Sequence, residues 1–430
     1  MKEQSTETTV VLTGKKGLTE DWTAVVLGAL VIIGALAGLT LAIPSFSWSS
    51  PGEIGTRLLG SANLVKAGSQ FLLVAVIVAL AAVLLNKPVV RALLVMVPVY
   101  LLTLLALIVA GSSTMKSLNL EAVIFSLVFG LLIGNFFKLP DWFRAALSTE
   151  LFVKIGLVLL GTSVIFSDIL KAGSLGLIQA VVVVLSVWYF AFWVCKKMKV
   201  DPELTMMISS AVSICGVSAA IATSGAIQGD NKKLSYVISM VLITAVPMMI
   251  FMPYIASYFA FPEAVTGAWL GGSIDTTGAV VASGSLVGEE ALKVSTIVKF
   301  SQNVLLGLAA FAISVYWTYK KPGHGAQQVA RPTLKVIWDR FPKFVLGFIA
   351  ASLAFSFLVP AGMVAGVKDG MKNLQGLWFA LAFTSIGLET NFAELFRNNS
   401  RKPFYAFLIA QLFNIMVTLA IAYLLFSPAG

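Results

Sequence analysis

The chain has 430 residues, of which 58% are hydrophobic and only 12% charged, at a mean hydropathy of +0.92. Soluble domains carry about one-quarter charged residues, so this is a membrane protein and a soluble enzyme is excluded. The net charge of +10 suits a nucleic-acid binder in isolation, but in so apolar a chain it reads as basic loops on one side of a bilayer.

Residues 1–21 are polar, with Lys15 and Lys16 ahead of the first apolar run. No small-residue cleavage site follows that run, which therefore reads as an uncleaved helix rather than a signal peptide. Apolar runs long enough to cross about 30 Å of hydrocarbon begin near Trp22, Gly68, Val89, Glu121, Leu151, Gly176, Leu234, Val294, Lys343, Leu374 and Pro403. The expected fold class is an all-α polytopic membrane protein of about eleven spanning helices. Cys195 and Cys215 sit in or beside apolar runs and imply no disulfide framework.

Two segments interrupt this pattern, SICGVSAAIATSG (Ser213 to Gly225) and SIDTTGAVVASGS (Ser273 to Ser285). They share one gapless register in which Ser213 pairs with Ser273, Ala219 with Ala279 and Lys233 with Lys293, each pair 60 residues apart. Both read as broken helices, over residues 203–228 and 263–287. Asp201 followed by Pro202 reads as the N-cap and first position of the helix entering the first of them.

With the N-terminus cytoplasmic and the broken segments re-entrant, twenty-two of the thirty Lys and Arg fall inside and seven outside, leaving Lys299 within the membrane. If both segments cross instead, the split is twenty to nine, so the basic residues favour hairpins only slightly and crossing stays open. As hairpins separated by one spanning helix, the two copies enter from opposite faces, which makes an inverted repeat. A second pairing sets GTSVIFSDILK (Gly161 to Lys171) against GLETNFAELFR (Gly387 to Arg397). Along the chain this divides a cytoplasmic segment 1–21, N-terminal membrane helices 22–118, a first repeat 119–260 and a second 261–430. Inverted repeats with interrupted helices near the midplane mark secondary transporters.

A helix restarting inside the membrane presents unpaired N–H groups and the positive end of its dipole, a natural anion cradle. Candidate substrate-binding residues are Ser213, Cys215, Gly216 and Ser218 in the first segment and Ser273, Asp275, Thr276, Thr277 and Gly278 in the second. Close helix packing through small residues is the bland alternative. A carboxylate at membrane depth marks an ion or proton pathway by default, and Asp275 has its expected partner in Lys299, read as about a turn and a half into the next helix. Asp275, Lys299, Gln302 and Asn303 are therefore the candidate coupling residues, with H⁺ or Na⁺ as coupling ion. Glu389 and Asn391 close an inward-running helix and are weaker candidates. His324 has no Cys or second His beside it and offers no metal site.

VKIGLVLLGTSVIFSDIL (153–170), SICGVSAAIATSGAI (213–227), WLGGSIDTTGAVVASG (269–284), VKFSQNVLLG (298–307), FVLGF (344–348) and AFTSIGLETNF (382–392) together resemble the bacterial sulfate exporter family often called YeiH, over residues 120–426 or so. The resemblance implies an inner-membrane protein related to the sodium/proton antiporter and bile-acid transporter superfamily, with a core domain moving against a scaffold and broken helices that commonly cross the membrane. The chain departs from that family's pattern at two places. A His-Asp pair is usual where Asp275-Thr276 stand, and a basic residue where Gln302 stands, which leaves a monovalent anion as open as a divalent one.

The expected function is secondary active transport of a small anion such as sulfate or sulfite, as an exporter in a bacterial inner membrane. A cation/proton antiporter is the alternative, and an intramembrane enzyme the lesser one, since no nucleophile-His pair or ligand cluster is present. The expected partners are the anion, the lipid bilayer and a second copy of the chain, with no nucleic acid. No GxxxxGK[ST] loop occurs, so the chain carries no ATP site of that kind.

Overall fold

The computed structural model describes residues 17–39, 43–117, 122–320, 338–390 and 401–427. The polar residues 1–16, His324, Asn391 and the second half of the Gly387-to-Arg397 pairing lie outside them. The described residues are nearly all helical, with no β-strand beyond an isolated bridge between Trp48 and Ser112. In chain order the main helices are α1 (Glu20–Leu36), α2 (Ser61–Leu84), α3 (Val89–Ala110), α4 (Ala122–Phe136), α5 (Thr149–Leu160), α6 (Phe166–Lys197), α7 (Pro202–Ser210), α8 (Val217–Ile227), α9 (Asn231–Tyr258), α10 (Glu263–Ser273), α11 (Thr277–Val287), α12 (Glu289–Lys320), α13 (Phe344–Leu353), α14 (Ala361–Glu389) and α15 (Lys402–Phe426).

Each expected apolar run falls on one of these helices. Among the described residues, seven helical stretches are both long and apolar enough to cross a membrane. α1, α4 and α13 are shorter, and α14 is long but carries Lys368, Asp369 and Lys372 in its first half.

The helices sort into two bundles. One is built around α14, which packs on α4 and α5, with α1 and α13 against α5, α3 against α4, and α2 against α3 and α1. Its tightest crossing depends on glycine. A Cβ on Gly130 would lie 2.3 Å from Thr384 O, and one on Gly387 2.6 Å from Leu127 O, so α4 and α14 touch backbone to backbone. The second bundle holds α6 to α12 and α15, with α12 packed on α6, α8, α10 and α11. Between the bundles the main seam runs along α11, which leans on α4, α5 and α14. The division read along the chain is thus a division by sequence order. In space, residues of both repeats contribute to both bundles.

Both interrupted segments are broken helices. In the first, α7 runs into a π-helical turn, Ala211–Cys215, and stops at Gly216. That residue has φ +60° and ψ −112°, and a Cβ there would lie 2.7 Å from Val241 Cγ1, so only glycine fits. In the second, α10 ends at Ser273 and α11 restarts at Thr277, capped by Thr276 Oγ1, which accepts from Ala279 N–H at 3.3 Å.

The limbs of each break return to where they began. Asp201 caps α7 and, with Glu203, accepts the Lys233 ammonium at 2.8 and 3.2 Å, while Asp230 N–H donates to Glu203. At the other hairpin a Cβ on Gly288 would meet Glu263 Oε2 at 2.7 Å. Entry and exit therefore share one end of the bundle in each case, which fits hairpins rather than crossings. α9 carries the chain from one base to the other, a rise of about 40 Å, so the hairpins enter from opposite ends. α7, α8 and α9 begin at residues 202, 217 and 231, and their counterparts α10, α11 and α12 at 263, 277 and 289, the offset read from the sequence to within two residues.

A crossed pair of helix tips as the candidate site

The hairpin tips meet on α12. Lys299 lies ten residues into that helix, which begins at Glu289 rather than near Val294. It is therefore nearly three turns deep, about 15 Å, and not the turn and a half read from the sequence. Its side chain is 1% exposed. Its ammonium donates to Ile214 O at 2.8 Å, Ile274 O at 2.9 Å and Gln302 Oε1 at 2.8 Å. Gln302 in turn donates to Ser213 O at 2.9 Å and Gly272 O at 3.2 Å.

These acceptors are the last carbonyls of two half-helices, groups that a helix end leaves without partners and that carry the negative end of its dipole. One lysine and one amide thus satisfy both ends at once. From α15, Asn414 donates to Val212 O at 3.0 Å and Ser273 O at 3.2 Å, and Gln411 donates to Ser273 O at 2.8 Å. Thr418 holds the Asn414 amide from behind at 2.9 Å. Gln411 and Asn414 were missed by sequence reading. Two amides three residues apart in an otherwise apolar helix were the available signal.

The geometry splits the candidate binding residues in two. Ser213, Cys215 and Ser273 lie on the entering limbs, at the carbonyl ends. The Ser213 hydroxyl is spent on Ser209 O at 2.7 Å, and Ser213 is fully buried, so it is not available to a ligand at the restarting N-termini. Gly216, Ser218, Thr276, Thr277 and Gly278 lie at or after the breaks, where N–H groups point forward. Ser218 is exposed, Thr276 and Thr277 are half-exposed, and Gly278 is buried against Ile386 and Val153 of the other bundle. Gly216 N–H is itself spent on Ala211 O at 3.0 Å, so of the candidates only Ser218, Thr276, Thr277 and Gly278 can present donors to a ligand.

Asp275 stands between the two sets. Its Cβ would be 3.0 Å from a Cβ on Gly216, so it lies against the opposite tip. The expected ion pair with Lys299 is absent, because the lysine spends all three of its donors on two carbonyls and an amide. Asp275 is 2% exposed and its Oδ2 has no hydrogen-bond partner. Ser273 Oγ, Asn303 Oδ1 and Gln411 Oε1 are also buried without partners. The Asn303 amide donates to Thr277 Oγ1 at 3.3 Å. Among the described residues no group of three His, Cys, Asp or Glu could hold a metal ion. Both cysteines are free and buried.

The arrangement is that of a polytopic helical membrane protein with two opposed broken helices. Residues 70–406 match the family described as "Conserved hypothetical protein 698", and the chain belongs to it. It is 40% identical to UPF0324 membrane protein RB9488 of Rhodopirellula baltica, a match covering 76% of this chain and 62% of that protein. Two UPF0324 membrane proteins of Nitratidesulfovibrio vulgaris are 39% and 38% identical, each over 76% of this chain and 58% of the relative. The chain thus spans about three-fifths of the length of these relatives. No solved structure matches.

Proposed function

We propose that the protein is a secondary active transporter of a small anion, sulfate or sulfite being the first candidates, working by alternating access with the two hairpin tips moving as one body. The observation that carries this reading is an imbalance at the tips. The negative ends of both half-helices are already compensated by Lys299, Gln302, Gln411 and Asn414, whereas the positive end at Val217–Ser218 has no side-chain cap and that at Thr277–Gly278 has the Thr276 hydroxyl and, next to it, the Asp275 carboxyl, whose charge depends on its proton. A small oxyanion supplies the missing counter-charge.

Asp275 directly precedes the N-cap of α11 and provides the coupling. Ionised, it fills part of the demand for negative charge. Protonated, it leaves that demand to the substrate, so proton and anion binding assist one another, reciprocally. The other titratable groups around it are Lys299 and the Cys215 thiol. In a bacterial inner membrane with the N-terminus cytoplasmic, an anion that leaves with fewer protons than its charges is driven outward by the inside-negative potential, at about 2.3 kcal/mol per net charge per 100 mV. That is the basis for reading an exporter.

A cation/proton antiporter is the second reading. It is favoured by the four unpartnered oxygens Ser273 Oγ, Asp275 Oδ2, Asn303 Oδ1 and Gln411 Oε1, a set that suits Na⁺ better than an anion. Thermal unfolding of the purified protein separates the two, because a ligand that binds the native state raises its stability. Sulfate, sulfite, bicarbonate and small carboxylates are compared with and without Na⁺ at two pH values. The anion reading expects an anion-specific shift, larger at the lower pH, lost in Ser218→Ala and made pH-independent in Asp275→Asn. A shift with Na⁺ alone and none with any anion overturns it in favour of the antiporter.

A further inference from the structure

The seam between the bundles opens, at the end away from the tips, into a cavity of 410 Å³ lined from both sides. Ser285, Gly288 and Glu289 come from the hairpin bundle, and Ser163, Gln70, Lys372 and Gln375 from the other. Two further cavities, of 610 and 370 Å³, share Asn373 with it, and Gln70 lines the first and the third. All three therefore converge on the Gln70–Asn373 pair, whose side chains are hydrogen-bonded at 3.2 Å. Gln70 is 4% exposed and its Oε1 has no partner.

The charges around this opening are not random. Basic residues are scarce on the outer side by the count from the sequence, seven in all, yet five of them gather here. Lys66 and Lys116 line the two side cavities, Lys372 lines the main one, and Lys293 and Lys368 lie within electrostatic reach of Glu289. Glu263, Glu289, Glu290 and Asp369 are the nearby carboxylates, four against five cations, so cations are in slight excess. Glu289 Oε2 accepts the Lys372 ammonium at 3.2 Å, and among the described residues this is the only ion pair joining the two bundles.

We infer that this cavity is an outer anion station on the transport route, in which the Glu289 carboxylate holds the place of a small oxyanion on Lys372 until substrate displaces it. The inference rests on the anion reading above. Lys372 supplies the charge, and the amides of Asn373 and Gln375 the neutral donors beside it. A carboxylate that spans the seam when the station is empty, and lets go when an anion arrives, ties occupancy to release of one bundle from the other. The stationary and moving parts are then free to separate only when there is cargo to pass.

The test uses the full-length protein in right-side-out vesicles with Ser163→Cys as reporter, since Cys195 and Cys215 are buried. A membrane-impermeant maleimide is applied outside with increasing sodium sulfate, sodium gluconate keeping ionic strength constant. Sulfate is expected to slow labelling. Glu289→Gln should lower the half-protecting sulfate concentration by about threefold and Lys372→Gln should raise it by about threefold, the scale of a partly exposed ion pair, while Lys372→Arg restores it. Protection indifferent to both substitutions, or no protection although sulfate stabilises the wild type against heat, overturns the station and leaves the anion reading standing. If no anion in the heat-stability panel acts on the wild type, the anion reading fails first and takes the station with it.

Discussion

Lys299 and Asp275 are neighbours in the site with opposite energetic situations. The lysine is fully engaged, and its removal would leave Ile214 O and Ile274 O without their partner in the interior. Hydrogen bonds to charged groups contribute about 1.5–3 kcal/mol each and are not additive, so Lys299→Met is expected to cost about 3 kcal/mol and to lower the unfolding temperature in detergent. Asp275 is a carboxylate whose Oδ2 has no partner, and its neutral isostere removes a buried charge while keeping the shape. Asp275→Asn is therefore expected to leave stability unchanged or raised while abolishing proton-coupled anion uptake into proteoliposomes. A large drop in unfolding temperature for Asp275→Asn would mean that the carboxylate is held by interactions the geometry does not contain. The partners of Lys299 were not legible in the sequence, although both residues were singled out and expected to pair with each other. A buried cation announces that it needs acceptors, but backbone carbonyls freed by a helix break have no residue type of their own, so a carboxylate was the natural partner to name.

At the scale of the element, the breaks were legible because Ser, Thr and Gly clustered at membrane depth are costly unless something uses them. The constant 60-residue register followed from the same residues. What remained open was whether the segments cross or return, because moving two lysines changes the charge count only slightly. The answer lies in side chains at the hairpin base. There, burial pushes the Asp201 carboxyl up, but the hydrogen bond from Lys233 and those from two backbone N–H groups more than offset this and hold it below the usual carboxylate range. A group with a lowered folded value stabilises the folded base fully above its ordinary value near 4 and loses that contribution as pH falls through the lowered one. Amide exchange at Glu203 and Leu204, whose N–H groups donate to Asp201 at 3.0 and 3.2 Å, is thus expected to accelerate below about pH 4 relative to amides elsewhere in the hairpin. In Asp201→Asn this acid-dependent step should be absent, and a step that persists would place the titrating group elsewhere.

For the whole molecule, the question is whether two bundles that share few contacts move past each other. Composition and apolar runs indicated a polytopic membrane protein, but not the sorting into bundles, because helices from both ends of the chain meet at backbone crossings such as Gly130–Gly387 that only the three-dimensional packing defines. The seam itself is lined by small residues on α11. A Cβ on Gly278 would sit 3.1 Å from Ile386 Cδ1 and 3.3 Å from Val153 Cγ2, tighter than an ordinary contact, whereas Gly284 faces Ser295 and Leu292 within its own bundle. A branched side chain at Gly278 therefore wedges between the bundles, and overpacking of this kind costs about 1–3 kcal/mol. If the bundles slide, that cost differs between the states at either end of the motion, and the transport rate suffers more than the fold. Gly278→Val is expected to retain cooperative unfolding with a modest loss of stability, while exchange of labelled anion across proteoliposomes falls by about tenfold or more, the factor that 1.4 kcal/mol represents. Anion exchange at the wild-type rate in that variant would mean that the seam along α11 does not move during transport.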